Sequence, residues 1–203
     1  IEAAKRARPG MRVVVIDPRR TASCDVADLH LAIRPGSDAL LFTALLAYLQ
    51  ASGSIAYEYV ASHTEGLDAA LAAAGAWDLA RASEALGIAP DALQTFCDWF
   101  AATERTVTFY SQGINQSATG TDKCNAIINC HLATGRIGRE GMGPFSITGQ
   151  PNAMGGREVG GLANQLAAHM DFTPEAIARV GRFWGAPNMA TAPCAPASSP
   201  CTG

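Results

Sequence analysis

A chain of 203 residues has room for one generous domain, and with 48% hydrophobic and 16% charged residues it can bury a core over most of its length. A formal net charge of -3 gives no electrostatic footprint for nucleic acid and does not favour anionic lipid. No apolar run approaches the roughly 18–20 residues that cross a bilayer, so neither nucleic acid nor membrane is expected as a partner.

The chain opens on Ile-Glu-Ala-Ala-Lys-Arg-Ala-Arg, which reads as the middle of a helix and suggests a piece of something longer. Pro9-Gly10 is a turn, and residues 13–16 form a continuous β-branched run, the pattern of a strand buried on both faces of a parallel sheet. It stops at Asp17-Pro18. A second short strand is expected over residues 29–33, before Pro35-Gly36. Ser37 is then a suitable N-cap, with Asp38 in the first turn of a helix running to Leu49. Residues 57–104 are Ala-rich and helical. Pro90 suits a first helical position, and Leu93, Phe96, Cys97 and Phe100 make an i, i+3, i+4, i+7 stripe.

Residues 106–110 are the next strand, followed by a polar loop over 111–120. Thr121 can cap a helix that ends before Gly135. Residues 138–161 are glycine-rich and loop-like, with further helices expected over 161–169 and 174–184. The alternation of strands and helices predicts an α/β fold with a parallel sheet, a partial Rossmann-like cofactor-binding domain over residues 1–189. The Pro- and Ser-rich tail, residues 190–203, cannot build a core and is expected to be disordered.

Six cysteines are present, but no Cys-x-x-Cys, and nothing points to a disulfide scaffold. On one helix Cys124 and Cys130 point about 120° apart, while Cys124 and His131 sit about 10 Å apart along the axis. A single metal cannot take them together, so no metal ligand is assigned. His131 falls on the apolar stripe of that helix and reads as a hydrogen-bonded core residue.

Three loops sit where open α/β sheets bind ligands. In the first, Asp17, Pro18, Arg19, Arg20 and Thr21, a carboxylate at a strand end can accept from a ribose diol or a guanine edge, or can simply start a turn. The second is Gly36, Ser37 and Asp38, for which helix capping is the competing explanation. The third is Gln112, Gly113, Ile114, Asn115 and Gln116, whose uncharged amides suit a fused heterocycle and equally a solvated loop. Residues 141–156 carry many glycines and no charge, and then comes Arg157, a natural clamp for a planar oxyanion or a structural partner of Glu158. Neither a P-loop nor a Gly-x-Gly-x-x-Gly occurs, which disfavours an ordinary NTP or NAD site.

Together these loops resemble the bis-molybdopterin guanine dinucleotide oxidoreductases. The strings that carry the resemblance are Val-Ile-Asp-Pro-Arg-Arg-Thr (15–21), Asp-Leu-His-Leu-Ala-Ile-Arg-Pro-Gly-Ser-Asp (28–38), Gly-Ile-Asn-Gln-Ser-Ala-Thr-Gly-Thr (113–121) and His-Leu-Ala-Thr-Gly-Arg-Ile-Gly (131–138). Within the family, Phe-Ser-Ile-Thr-Gly-Gln-Pro-Asn-Ala-Met-Gly-Gly-Arg-Glu-Val-Gly (145–160) looks like the version of the assimilatory nitrate reductase catalytic subunit. Formate dehydrogenases, the nearest rivals, tend toward a Gly-Gln-Asn-Asn string there, and periplasmic nitrate reductases often carry Met where this chain has Gln112.

The resemblance implies that Asp17 to Thr21 and Gly36 to Asp38 line a guanine dinucleotide arm. It places Gln112 and Gln116 near pterin and molybdenum, and gives Gln150 and Arg157 catalytic places in the nitrate pocket. It implies molybdenum bis(molybdopterin guanine dinucleotide) as cofactor, with a [4Fe-4S] centre whose ligands this chain does not contain. Nitrate as substrate, the remainder of the catalytic subunit, an electron-donor protein or domain, and a cytoplasmic location complete the expectation. A non-catalytic nucleotide-binding module is the alternative of another class.

Overall fold

The computed structural model describes residues 1–147, 153–160 and 165–193, with Ala153 and Arg157 described by their backbone alone. It divides into two units, Ile1–Ile147 and Thr148–Gly203.

The first unit begins with helix α1, Glu2–Ala7, with its acidic residue in the first turn and Lys5 and Arg6 in the last, the arrangement that complements the helix dipole. Lys5 Nζ bonds Asp28 at 2.6 Å and the Val26 carbonyl at 3.0 Å, while the other Asp28 oxygen accepts from Val13 N–H. The Lys5 ammonium and that backbone donor hold the Asp28 carboxyl below the usual carboxylate range. This pins α1 beside strands β1, Val14–Ile16, and β2, Leu29–Leu31, which pair in parallel in the register Val14↔Leu29 and Ile16↔Leu31. A short 3-10 helix, Ala22–Val26, makes the crossover. All three β1 residues are half-buried rather than fully buried as the β-branched run led one to expect, because this sheet has only two strands among the described residues.

Helix α2, Asp38–Ala51, is apolar nearly all round, and such a helix belongs inside a core. Leu41, Leu45 and Leu49 are completely buried, each side chain contributing about 2 kcal/mol on removal from water. After α3, Tyr57–His63, three helices pack against α2: α4, Leu67–Ala74, α5, Leu79–Leu86, and α6, Pro90–Ala102. Asp78 caps α5 by accepting from Arg81 N–H at 2.8 Å, and Gly87, at φ +73°, ends it. On α6 the expected stripe Leu93, Phe96, Cys97 and Phe100 is buried, and Pro90 does stand at the start. Burial and the neighbouring Asp98 push the Cys97 thiol up to about 12.

Strand β3, Val107–Tyr110, leads into a four-residue helix α7, Gln112–Asn115, and then α8, Gly120–Ala133, which packs against α2. Strand β4, Gly143–Ser146, returns parallel to β3, Val107 opposite Gly143 and Tyr110 opposite Ser146. β3, α8 and β4 therefore make a strand–helix–strand crossover. Phe109 and Phe145 stand out from this sheet in a T-shaped pair at 5.7 Å.

Three local expectations need correction. The segment after β3 is not wholly loop, since α7 occupies it. Thr121 does not cap α8: the helix already begins at Gly120, with Thr119 at the cap position and no side-chain cap bond. The glycine-rich stretch contains β4, which forms because β3 offers it backbone partners, with Gly143 N–H donating to Thr106 and Ile147 N–H to Tyr110.

The second unit contains α9, Ala153–Glu158, a 3-10 turn over Ala167–His169, and α10, Pro174–Trp184. Thr173 caps α10 through Ala176 N–H at 3.3 Å, and Gly185 ends it at φ +61°. Of the helix expected over 161–169, residues 161–164 lie outside the described residues and the remainder carries only the 3-10 turn. Residues 194–203 of the tail also lie outside the described residues.

Candidate cofactor-binding site

Both parallel sheets end their strands in candidate residues, which is where open α/β sheets present polar groups to ligands. At the end of β1, Asp17 Oδ1 accepts from Arg19 N–H at 2.7 Å, and His30 Nε2–H donates to the Asp17 carbonyl at 2.9 Å. Asp17 Oδ2 has no partner among the described residues. Pro18, Arg19 and Arg20 are exposed, Arg20 lying 3.5 Å from Asp25, and Thr21 starts the 3-10 helix.

After β2 the chain turns at Gly36, whose φ of +86° is costly for any residue with a Cβ. Ser37 stands at the α2 cap position, yet its hydroxyl donates back to the Arg34 carbonyl at 2.6 Å instead of capping the helix. Asp38 is engaged as well: Lys123 Nζ lies 3.0 Å from its carboxylate, with side chains only 8% and 23% exposed for Lys123 and Asp38. That pair ties the start of α2 to the first turn of α8. It brings the second loop toward the third, because the start of α8 packs against α7. Lys123 was not singled out by sequence reasoning. Its signal was a lone cation in the opening turn of one helix, matched by a carboxylate opening another.

The third loop is of a different kind. Gln112, Gly113, Asn115 and Gln116 are all exposed, and the side-chain amides of Gln112 and Gln116 make no hydrogen bond among the described residues. Asn115 Nδ2 donates to Ser146 Oγ at 3.0 Å, joining the carboxyl ends of β3 and β4, and Cys124 Sγ donates to Asn115 Oδ1 at 3.5 Å. The Tyr110 phenol is held above the usual range by burial first and by the nearby Cys124 second. A Cβ on Gly120 would stand 2.3 Å from the Asn115 carbonyl oxygen, so only glycine lets α8 start this close to α7.

Behind the loop, His131 is completely buried, shares a hydrogen bond with Thr108 at 2.8 Å and meets Phe100 edge-on. Burial, then the Arg136 charge, pulls its imidazole down to about 4. Arg136 is itself buried, donating to the Phe100 and Thr103 carbonyls at 2.6 and 2.7 Å and so closing the end of α6. Cys130 donates to the Phe42 carbonyl at 3.1 Å, so Cys130 and His131 serve different partners. No group of three or more His, Cys, Asp and Glu stands together among the described residues.

Of the two residues given catalytic places, Gln150 lies outside the described residues, and Arg157 is placed on α9 by its backbone alone. Glu158, the alternative partner considered for Arg157, bonds His169 at 2.7 Å.

A family model described as molybdopterin oxidoreductase matches residues 1–190. The chain belongs to the molybdopterin oxidoreductase family. This molybdopterin oxidoreductase chain is similar to the nitrate reductase of Klebsiella oxytoca, 55% identical over 190 residues that make up 94% of this chain and 21% of that protein. It is 48% identical to the nitrate reductase of Shewanella frigidimarina (strain NCIMB 400), over 88% of this chain and 19% of that protein. Among solved structures, acetylene hydratase from Pelobacter acetylenicus matches with a TM-score of 0.51 and 26% identity, covering 64% of this chain and 18% of that one. The molybdopterin oxidoreductase chain thus spans about a fifth of the length of the curated relatives it matches.

The family implies a molybdenum–pterin cofactor, and the residues present fit one. Uncharged amides with no partner among the described residues, at a parallel-strand end, can satisfy both donors and acceptors of a fused ring, and the Asp17 oxygen likewise without a partner there can take a further donor.

Proposed function

We propose that this chain is part of an assimilatory-type nitrate reductase catalytic subunit, and that residues 1–189 form walls of its cofactor site. The observation that carries the reading is the pair of unengaged amides, Gln112 and Gln116, at the carboxyl end of β3 in a chain so similar to proteins named nitrate reductase.

When bound, molybdenum bis(molybdopterin guanine dinucleotide) supplies the two-electron reduction that turns nitrate into nitrite and water. The chain's own residues supply position and electrostatics. Asp17, through its free oxygen, accepts a donor from the guanine end, while Arg19 and Arg20 offer exposed cations suited to the phosphates of the same arm. Gly36 and Ser37 bring backbone close to that arm. Asp38 serves it indirectly, since its carboxylate is held by Lys123. Gln112 and Gln116 hold the pterin without adding charge beside an anionic substrate. Gln150 and Arg157 line the nitrate pocket, where the planar guanidinium attracts the anion and holds its spectator oxygens. A [4Fe-4S] centre and an electron-donor protein or domain complete the electron path, and the enzyme works in the cytoplasm.

The test is Arg157→Ala in the complete polypeptide. A KM for nitrate raised at least tenfold with molybdenum content unchanged is expected, and unaltered nitrate kinetics would remove the assignment.

A further inference from the structure

We propose that Ser146 donates a hydrogen bond to the cofactor at the carboxyl ends of β3 and β4, and that Asn115 and Cys124 are positioning residues that keep its hydroxyl proton pointing outward. The inference rests on the molybdopterin reading of the chain and deepens it, naming a contact that sequence reasoning did not single out.

The deciding property is hydrogen-bond direction. A serine hydroxyl has one proton to give and two lone pairs to receive with. Ser146 Oγ receives from Asn115 Nδ2 at 3.0 Å and gives to no group among the described residues, and the residue is exposed. Its proton is therefore available to a ligand at the carboxyl end of β4. Turning the Asn115 amide over would reverse this, because an oxygen facing Ser146 would draw the proton inward.

Cys124 decides which way the amide lies. Its thiol gives its proton to Asn115 Oδ1 at 3.5 Å, and sulfur is a poor acceptor for an NH₂ group presented in the opposite sense. Tyr110, the register partner of Ser146, stands at the end of β3. The relay runs from Cys124 through Asn115 to Ser146 and adds no formal charge. Such a donor suits a carbonyl or ring nitrogen of a fused heterocycle.

The experiment measures cofactor retention in the complete polypeptide, as molybdenum and fluorescent pterin remaining after prolonged dialysis, independently of turnover. Ser146→Ala is expected to lose cofactor about tenfold faster than wild type, the effect of one hydrogen bond to a bound group. Asn115→Leu is expected to lose it about threefold faster, and to cause no further loss in the Ser146→Ala background, because Asn115 acts through Ser146. Cys124→Ala, which frees the Asn115 amide to turn over, is expected to lose cofactor about as fast as Asn115→Leu. Wild-type retention in Ser146→Ala, or losses that multiply in the double variant, would overturn the proposal while leaving the family reading intact. A wild-type polypeptide holding neither molybdenum nor pterin would overturn both, before any variant is compared.

Discussion

The two strand-end regions of the first unit are built from opposite materials. Around β1 and β2 three charged or capping candidates already hold a partner within the chain: Asp17 closes a turn on Arg19, Ser37 folds back on Arg34, and Asp38 is held by Lys123. Around β3 and β4 they are neutral, exposed amides, and among the described residues only Asn115 is engaged. The contrast teaches that a residue can sit in a ligand-binding loop and still act mainly by holding the loop together. Asp38 is the case in point, since Lys123 holds one of its carboxylate oxygens in a nearly buried ion pair.

That contrast can be broken experimentally. The largest effect is expected from Asp38→Ala, which strands the Lys123 ammonium in a site where its side chain is only 8% exposed. A loss of about 4 kcal/mol in urea unfolding of the 203-residue chain is expected, with much of it recovered in Asp38→Leu/Lys123→Met. A loss under about 1 kcal/mol would show that the pair does little to hold the loop together.

Acid comes next. His131 titrates near 4 in the folded chain against an ordinary value of 6.5. As pH falls through that window the unfolded chain takes up a proton that the folded chain refuses, so stability is full above 6.5 and declines toward 4. The swing should be about 3 kcal/mol, read from unfolding midpoints at stepped pH. A His131→Leu chain with an equally steep profile would show that other groups are responsible.

Gly120→Ala should cost about 2 kcal/mol, since the added methyl must push the α7 backbone aside. It should also disturb the neutral loop selectively, visible as faster amide exchange over residues 112–116. The smallest change in stability belongs to Gln116→Ala, within about 0.5 kcal/mol because the amide bonds to nothing among the described residues. The complete polypeptide carrying that substitution should nonetheless retain less molybdenum. Unchanged retention would make Gln116 an ordinary solvated residue.

Legibility in the sequence followed the range of the forces involved. Periodic burial is written locally, so the stripe on α6, the Pro90 start and the strand at Val107–Tyr110 could be read directly. β4 could not, because Gly143 and Pro144 are poor strand residues and the strand exists only where β3 supplies its partners. α7 has a single buried residue, Ile114, and no periodicity to betray it. The candidate loops were legible as chemistry, through carboxylate, amide and glycine. Their division of labour was not, because the ion pair from Asp38 reaches across 85 residues and the Asn115 bond to Ser146 across 31.

The clasp between Asp38 and Lys123 also has a mechanical meaning. It fastens the starts of two 14-residue helices whose flanks are packed together, leaving neither free to slide along the other. The turn at Gly36 and the stretch from Gln112 to Gln116 consequently behave as a single bracket. Damage inflicted on either arm should be felt by whatever rests on the other.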